Sequence, residues 1–198
     1  MTTERRPTLA DPPEAYARAL DATRLFLAGI GQGRWEDPTP CTDWNVRELT
    51  NHMIYGTIWI EDIFAGRTVV EVGDKYDGDL VGDDALASYD AAAAFAKRAI
   101  AAPGVVDAVC HLRRGDTTGA EYMTSMFVDV FIHGWDLAIA TGQGPTLDTD
   151  LVCECCELVI QREERYRQSS AFGEGRVADP GVGVGLQARL LAILGREG

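Results

Sequence analysis

The chain of 198 residues is poor in several features, and each shortage removes a class of protein. No stretch approaches the roughly 18 consecutive apolar residues that a membrane-spanning helix requires. Residues 1–10 hold two arginines with no apolar run behind them, which does not read as a secretory signal. A cytoplasmic protein is the expectation. Basic charge is scarce: 18 lysines and arginines stand against 31 aspartates and glutamates, a formal net charge of −13. Such a field repels nucleic-acid phosphates and anionic head groups, so neither nucleic acid nor a membrane is expected as a partner. Cysteine occurs five times, an odd number, with three copies crowded into positions 153–156. That is no disulfide framework, and reduced thiols are expected. Alternating apolar and polar positions are almost absent, which argues against a sheet-based fold.

What is present is helical periodicity. At this size a compact chain buries roughly 70% of the surface its unfolded form exposes, enough for a core without crosslinks. Asp11, Pro12 and Pro13 open a helix expected over 12–28, which Gly29, Gly31 and Gly33 close. Thr42 or Asp43 caps a second over 45–65, ending at Gly66. Asp83 or Asp84 opens a third over 85–102, stopped by Pro103 and Gly104; a fourth covers 120–140 and a fifth 148–168. A short helix is expected over 186–194. Residues 68–82 read as an acidic surface loop, 105–119 as a hairpin or ordered loop, and 181–185 as a flexible connection without the context of a phosphate-binding loop. The expected fold is all-α: a single domain over 1–198, an antiparallel four-helix bundle with short accessory helices and a possible small hairpin.

Bundle sites are built from polar side chains on otherwise apolar faces. At about 100° per residue, His52 shares a face with Tyr55, Gly56, Trp59 and Ile63, with Leu49 at the edge, and so reads as core-facing. On the fourth helix Asp129 and His133 stand one turn apart within an apolar run. Burying such groups unpaired costs several kcal/mol, so something must compensate them. One compensation is a buried Asp129–His133 pair with a satisfied core histidine at His52. The other is a metal site in which His52, Asp129 and His133 meet across the bundle, with coordination positions left open as in catalytic sites. Asp136 reads as an acceptor that orients an imidazole or bonds another helix. His111, beside Arg113 and Arg114, reads as exposed.

Two blocks carry a family resemblance. Residues 39–52, Thr-Pro-Cys-Thr-Asp-Trp-Asn-Val-Arg-Glu-Leu-Thr-Asn-His, closely resemble the entry to the second helix in the mycothiol-dependent maleylpyruvate isomerase N-terminal family, part of the DinB-like metal-binding superfamily. Residues 128–138, Val-Asp-Val-Phe-Ile-His-Gly-Trp-Asp-Leu-Ala, followed by Thr141 and Gly142, form the second block, and the ending 189–196 a weaker third. The resemblance implies a four-helix bundle holding one divalent ion, usually zinc, through positions matching His52, Asp129 and His133. The isomerase has glutamate where Asp129 stands, one methylene longer. It also carries a further C-terminal domain for which these 198 residues leave no room, so metal binding is expected more firmly than isomerisation itself. Zinc suits two imidazoles and a carboxylate, and iron or nickel can take the same set.

The remaining features read mostly as structure. Cys153, Cys155 and Cys156 are expected as buried small hydrophobes. Cys41 precedes a helix N-terminus, where thiol pKa values can fall, but reads as structural. Trp44 and Trp135 read as aromatic anchors. Trp59, two turns beyond His52, is the expected pocket residue, and Arg47 the cation expected to receive an anionic group of a cofactor or substrate. The expected function is a metal-dependent, thiol-using transferase or isomerase, with mycothiol or a similar thiol as cosubstrate and a small electrophile as substrate, acting as monomer or homodimer. The alternatives are a metal-binding protein without turnover and a metal hydrolase, for which no dedicated general base is evident. No catalytic residue beyond the ligands is assigned.

Overall fold

Proline and capping side chains set the helix starts. The computed structural model describes residues 9–161 and 185–196, in which α1 (Pro12–Ala28) begins at prolines after Asp11, whose carboxylate accepts from the Glu14 N–H. The second helix, α2 (Val46–Phe64), is capped by Asn45, not by Thr42 or Asp43. Asn45 accepts from the Glu48 N–H while the Glu48 carboxylate accepts from the Asn45 N–H, a reciprocal box that satisfies two otherwise orphaned donors. Thr42 and Asp43 lie in the preceding turn. The same kind of box, Thr68 with Glu71, produces a short α3 (Val69–Val72) in the segment expected as loop. Asp84 caps α4 (Ala85–Ile100).

A 3₁₀ turn over Val105–Asp107 leads into a hairpin, β1 (Val109–Leu112) antiparallel to β2 (Gly115–Thr118), with His111 opposite Asp116. Helix α5 (Gly119–Thr141) follows at once, capped by Thr118 and closed by Gly142 in the left-handed conformation. Helix α6 covers Thr149–Gln161, and the rest of the helix expected to reach 168 lies outside the described residues, as do 181–184 of the expected flexible connection. The last helix, α7 (Leu186–Ile193), packs on α6.

Helices α1 and α2 each pack against both α4 and α5. Tyr16, Leu20, Leu49, Ile60, Phe127 and Phe131 are fully buried between them. Helices α1 and α5 approach closely: a Cβ at Gly134 would lie 2.6 Å from Thr23 Oγ1, and Thr23 donates to the Val130 carbonyl at 2.9 Å. The buried stripe of α2 runs through Val46, Leu49, Thr50, Met53, Thr57 and Ile60. His52, Tyr55, Gly56 and Trp59 are only half-buried, so the expected core-facing stripe is rotated: His52 lines a cleft at the edge of the core. The chain is mostly helical with one small antiparallel hairpin, and among the described residues no helix is long and apolar enough to cross a membrane. Cys110, Cys155 and Cys156 are buried, no cysteine is in a disulfide, and desolvation pushes the Cys110 thiol up to about 11.

Candidate metal centre

The entry to α2 is built before the helix begins. Thr39 Oγ1 donates to the Trp44 carbonyl at 2.8 Å and accepts from the Cys41 N–H at 3.1 Å, closing a tight turn that fixes both residues. Trp44 then stacks on His52, ring centroids 4.4 Å apart and planes inclined by 26°. His133 approaches from α5, its ring edge-on to His52 with centroids 5.2 Å apart.

Asp129 stands between the two imidazoles. His52 Nε2 lies 3.5 Å from Asp129 Oδ2, and His133 Nε2 lies 3.5 Å from Asp129 Oδ1. One ligand atom from each of the three side chains falls within 4.8 Å of the others. A separation of 3.5 Å is long for a hydrogen bond, which prefers about 2.7–3.2 Å. It is close to the roughly 3.3 Å that separates two ligands bound to a tetrahedral ion through bonds of about 2.0–2.1 Å. The donor set and its spacing therefore fit a divalent cation.

The sequence reading places Asp129 as buried, whereas its side chain is 27% exposed, and that of His52 is 31% exposed. Only His133 is sealed, at 1%. The difference arises because Asp129 sits beside His52 at the edge of the core, while its helix neighbours Val128, Val130 and Phe131 fill it. Desolvation works to raise the Asp129 carboxyl, but the two imidazoles 3.5 Å away, His133 before His52, outweigh it and hold the group well below the usual carboxylate range. Burial alone would push the His133 imidazole down. The nearby Asp129 charge, the hydrogen bond to Asp136 and the Cys41 thiol reverse this and raise it well above its ordinary value.

Behind His133 lies a buried network. Its Nδ1 is 3.0 Å from Asp136 Oδ2, and a carboxylate there requires the proton on Nδ1, so in the neutral ring, the form that binds a metal, the Nε2 lone pair faces Asp129. Asp136 is fully buried and is held from the other side by Arg196, which donates through Nε at 3.0 Å and Nη2 at 2.6 Å. Arg196 Nη2 also reaches Cys41 Sγ at 3.0 Å, and that thiol lies 3.3 Å from Asp136 Oδ2. Cys41, His133 and Asp136 form a second cluster of ligand-type atoms, but the guanidinium already supplies its cation.

Of the two roles the sequence offers Asp136, orienting an imidazole or bonding another helix, the structure shows the first, and the sequence does not place Arg196, Cys41 and Trp44 at the site. No spacing rule links residue 196 to residue 136; the only signal was the terminal block of the family resemblance. Arg47 lies at the cleft mouth but is paired with Asp79 at 2.7 Å and with the Gly82 carbonyl at 3.1 Å. Trp59 does not line this cleft; it lines a neighbouring one with Tyr55, His111 and Arg113. His111 is half-buried on the hairpin, 2.8 Å from Asp116.

A helical protein that gathers two imidazoles and a carboxylate beside a solvent-open cleft that one of the imidazoles lines, with an outer carboxylate orienting the other, belongs by its site chemistry among candidate divalent-metal proteins. Sequence comparison makes the assignment specific. The chain belongs to the mycothiol maleylpyruvate isomerase N-terminal domain family, whose pattern matches residues 16–138. It is 35% identical over 144 residues to uncharacterized proteins of Mycobacterium tuberculosis strains CDC 1551 and H37Rv, covering 73% of this chain and 75% of each relative. No solved structure matches it.

Proposed function

We propose that this chain is a metal-dependent enzyme that uses a low-molecular-weight thiol, mycothiol by family membership, for transfer to or isomerisation of a small electrophile. The observation that carries the reading is the pair of 3.5 Å separations from Asp129 to His52 and His133, which suit a shared cation better than hydrogen bonds. In this reading α1, α2, α4 and α5 form an antiparallel four-helix bundle of the DinB-like kind within one domain, supported by the packing of α1 and α2 on both α4 and α5. His52, Asp129 and His133 would hold the ion, zinc in first place, with iron or nickel compatible with the same donors. A divalent ion held there supplies the positive charge that lowers a thiol pKa, so that thiolate exists at neutral pH.

The chain's own residues do the rest. Asp136 keeps the proton on His133 Nδ1, and Trp44 restrains the His52 ring. Arg47 at the mouth and Trp59 farther along α2 are the proposed contacts for the thiol cosubstrate, Arg47 through N–H groups left over from its pairing with Asp79. The thiolate adds to one carbon of an activated C=C bond as the π bond breaks; the neighbouring carbon takes a proton where the adduct is kept, and after rotation about the new single bond the π bond re-forms with expulsion of the thiolate where the substrate is isomerised.

The test is a cobalt(II)-loaded protein titrated with mycothiol. A saturable sulfur-to-cobalt absorption band is expected, and His52→Ala and Asp129→Ala should bind no cobalt. A protein that holds cobalt but responds to no thiol would leave a metal-binding protein without turnover and overturn the thiol-dependent reading.

A further inference from the structure

Cys41 is the nucleophilic side chain at this centre that the proposed chemistry leaves unused. Its Sγ lies 3.7 Å from His133 Nδ1 and 3.3 Å from Asp136 Oδ2, and those two atoms are 3.0 Å apart. On a tetrahedral ion, two ligand atoms stand about 3.6 Å apart where one is sulfur and about 3.3 Å apart where both are nitrogen or oxygen. The three atoms are therefore within about 0.3 Å of the spacing of a thiolate, imidazole and carboxylate ligand set. His133 and Asp136 are sealed in α5, but Cys41 is half-buried beside the exposed Thr42 and Asp43, which gives an ion a way in.

The cation now in that position is a side chain. Arg196 Nη2 is 3.0 Å from Cys41 Sγ and 2.6 Å from Asp136 Oδ2. It is delivered by the end of α7, where Gly195 at φ 72° turns the chain and the Arg196 N–H closes on the Leu191 carbonyl at 2.8 Å. The guanidinium thus hangs from an element other than those that carry the three ligand atoms, and it can leave them intact by swinging away with the stop of α7.

We infer that Cys41, His133 Nδ1 and Asp136 form a second metal site, for a thiophilic divalent cation, which Arg196 holds closed. Sulfur beside imidazole selects soft or borderline ions over magnesium and calcium. On binding, the thiol proton and the Nδ1 proton pass to solvent, sulfur and nitrogen each give a lone pair to the ion, and the guanidinium withdraws. One consequence rests on the reading of His52, Asp129 and His133 above. A neutral imidazole has a single free lone pair, so an ion at Nδ1 leaves the proton on Nε2, facing Asp129, and the first site loses a ligand. The two sites exclude each other, and Arg196 decides for the first.

The experiment titrates the full chain with cadmium(II) and follows sulfur-to-cadmium absorption in the ultraviolet. Displacing a cation from a buried pair should weaken binding about 100-fold or more, so Arg196→Gln should saturate at a correspondingly lower cadmium concentration than the wild-type protein. The band should vanish in Arg196→Gln/Cys41→Ser, which leaves the other cysteines in place. Equal affinity in Arg196→Gln and the wild-type protein, or a band that survives Cys41→Ser, overturns the second site. Where Arg196→Gln does not fold by circular dichroism, Arg196→Lys takes its place. It keeps a charge but not the forked contact, and should bind cadmium about tenfold more tightly than the wild-type protein; no gain overturns the site equally. Zinc-loaded Arg196→Gln should release its zinc to a chromogenic chelator as the band grows, and zinc retained at a saturated band overturns the exclusion. His52→Ala/Arg196→Gln, which cannot hold the first ion by the reading above, separates the two claims. A band there upholds the second site even where the thiol titration fails, and a positive thiol titration with no sulfur-to-cadmium band in any variant sinks the second site alone.

Discussion

Asp136 carries the heaviest demands of any single residue. It is fully buried, accepts two bonds from Arg196, and holds the His133 proton. Removing one partner of a buried ion pair strands the other charge, so Asp136→Ala should destabilise the protein by about 3–5 kcal/mol in urea unfolding. The isosteric Asp136→Asn is the gentler probe. It keeps the volume but no longer enforces the Nδ1–H tautomer, and zinc affinity measured by competition with a chelator should fall roughly 10–100-fold. A fall of the same size for Asn45→Ala, which touches neither histidine, would show that general loosening accounts for the effect. Cys41 is tied into the same network by Arg196, so its place is explained by the site as well as by the turn that carries it.

At the scale of elements, close helix approach rather than helix propensity decides what small residues do. A Cβ at Gly134 would sit 2.6 Å from Thr23 Oγ1, and one at Gly119 only 1.8 Å from the Val105 carbonyl oxygen. Alanine favours a helix interior over glycine by about 1 kcal/mol, yet overpacking costs typically 1–3 kcal/mol. Gly134→Ala should therefore lose stability, and Gly119→Ala should lose more because a backbone carbonyl cannot step aside. Gly56→Ala faces only the flexible Met126 Cε at 3.1 Å and should be neutral or stabilising. Urea midpoints of the three variants check the order. The Asn45–Glu48 box sets where α2 starts, and Asn45→Ala should cost about 1 kcal/mol by the same measurement, with the core intact.

Across the whole molecule, acid sensitivity follows from the buried carboxylates. Burial works to raise the Asp62 carboxyl, but hydrogen bonds from Lys75 and Tyr76, each 2.7 Å, and the nearby Lys75 and Arg67 charges hold it below its ordinary value. Asp136 is lowered in the same sense against its own burial, through His133 and Arg196. A carboxyl whose folded pKa lies below its unfolded value of about 3.9 contributes its full stability above that value and loses it as pH falls through the folded one. Unfolding free energy of the metal-free protein should thus rise slightly from about pH 7 to 5.5, because the raised His133 already holds a proton that the unfolded chain takes up only near pH 6.5, and decline below about pH 4. Asp62→Asn should lower the plateau and flatten the decline; an unchanged slope would remove Asp62 as a contributor.

The helices were legible in the chain because their signals are local. Asp11 before two prolines, Asp84 before an alanine run and Gly142 after an apolar stretch act within one turn of the residues they control. The grouping of Asp129 with His133 was legible for the same reason, since a helix places residues four apart on one side. The choice of Asn45 over Thr42 or Asp43 as cap was not, because all three are good caps and the turn closed by Thr39 selects among them. Nor was the rotation of α2 that turns His52 and Trp59 from the core to clefts, because hydropathy marks apolar side chains without saying which neighbouring helix will cover them. The sequence by itself determined which segments become helices and which chemical groups are available. Only the tertiary structure decided that His52 meets Asp129 and His133, that Arg196 clamps Asp136, and that Trp59 serves a second cleft, because those contacts join parts of the chain whose approach is set by packing.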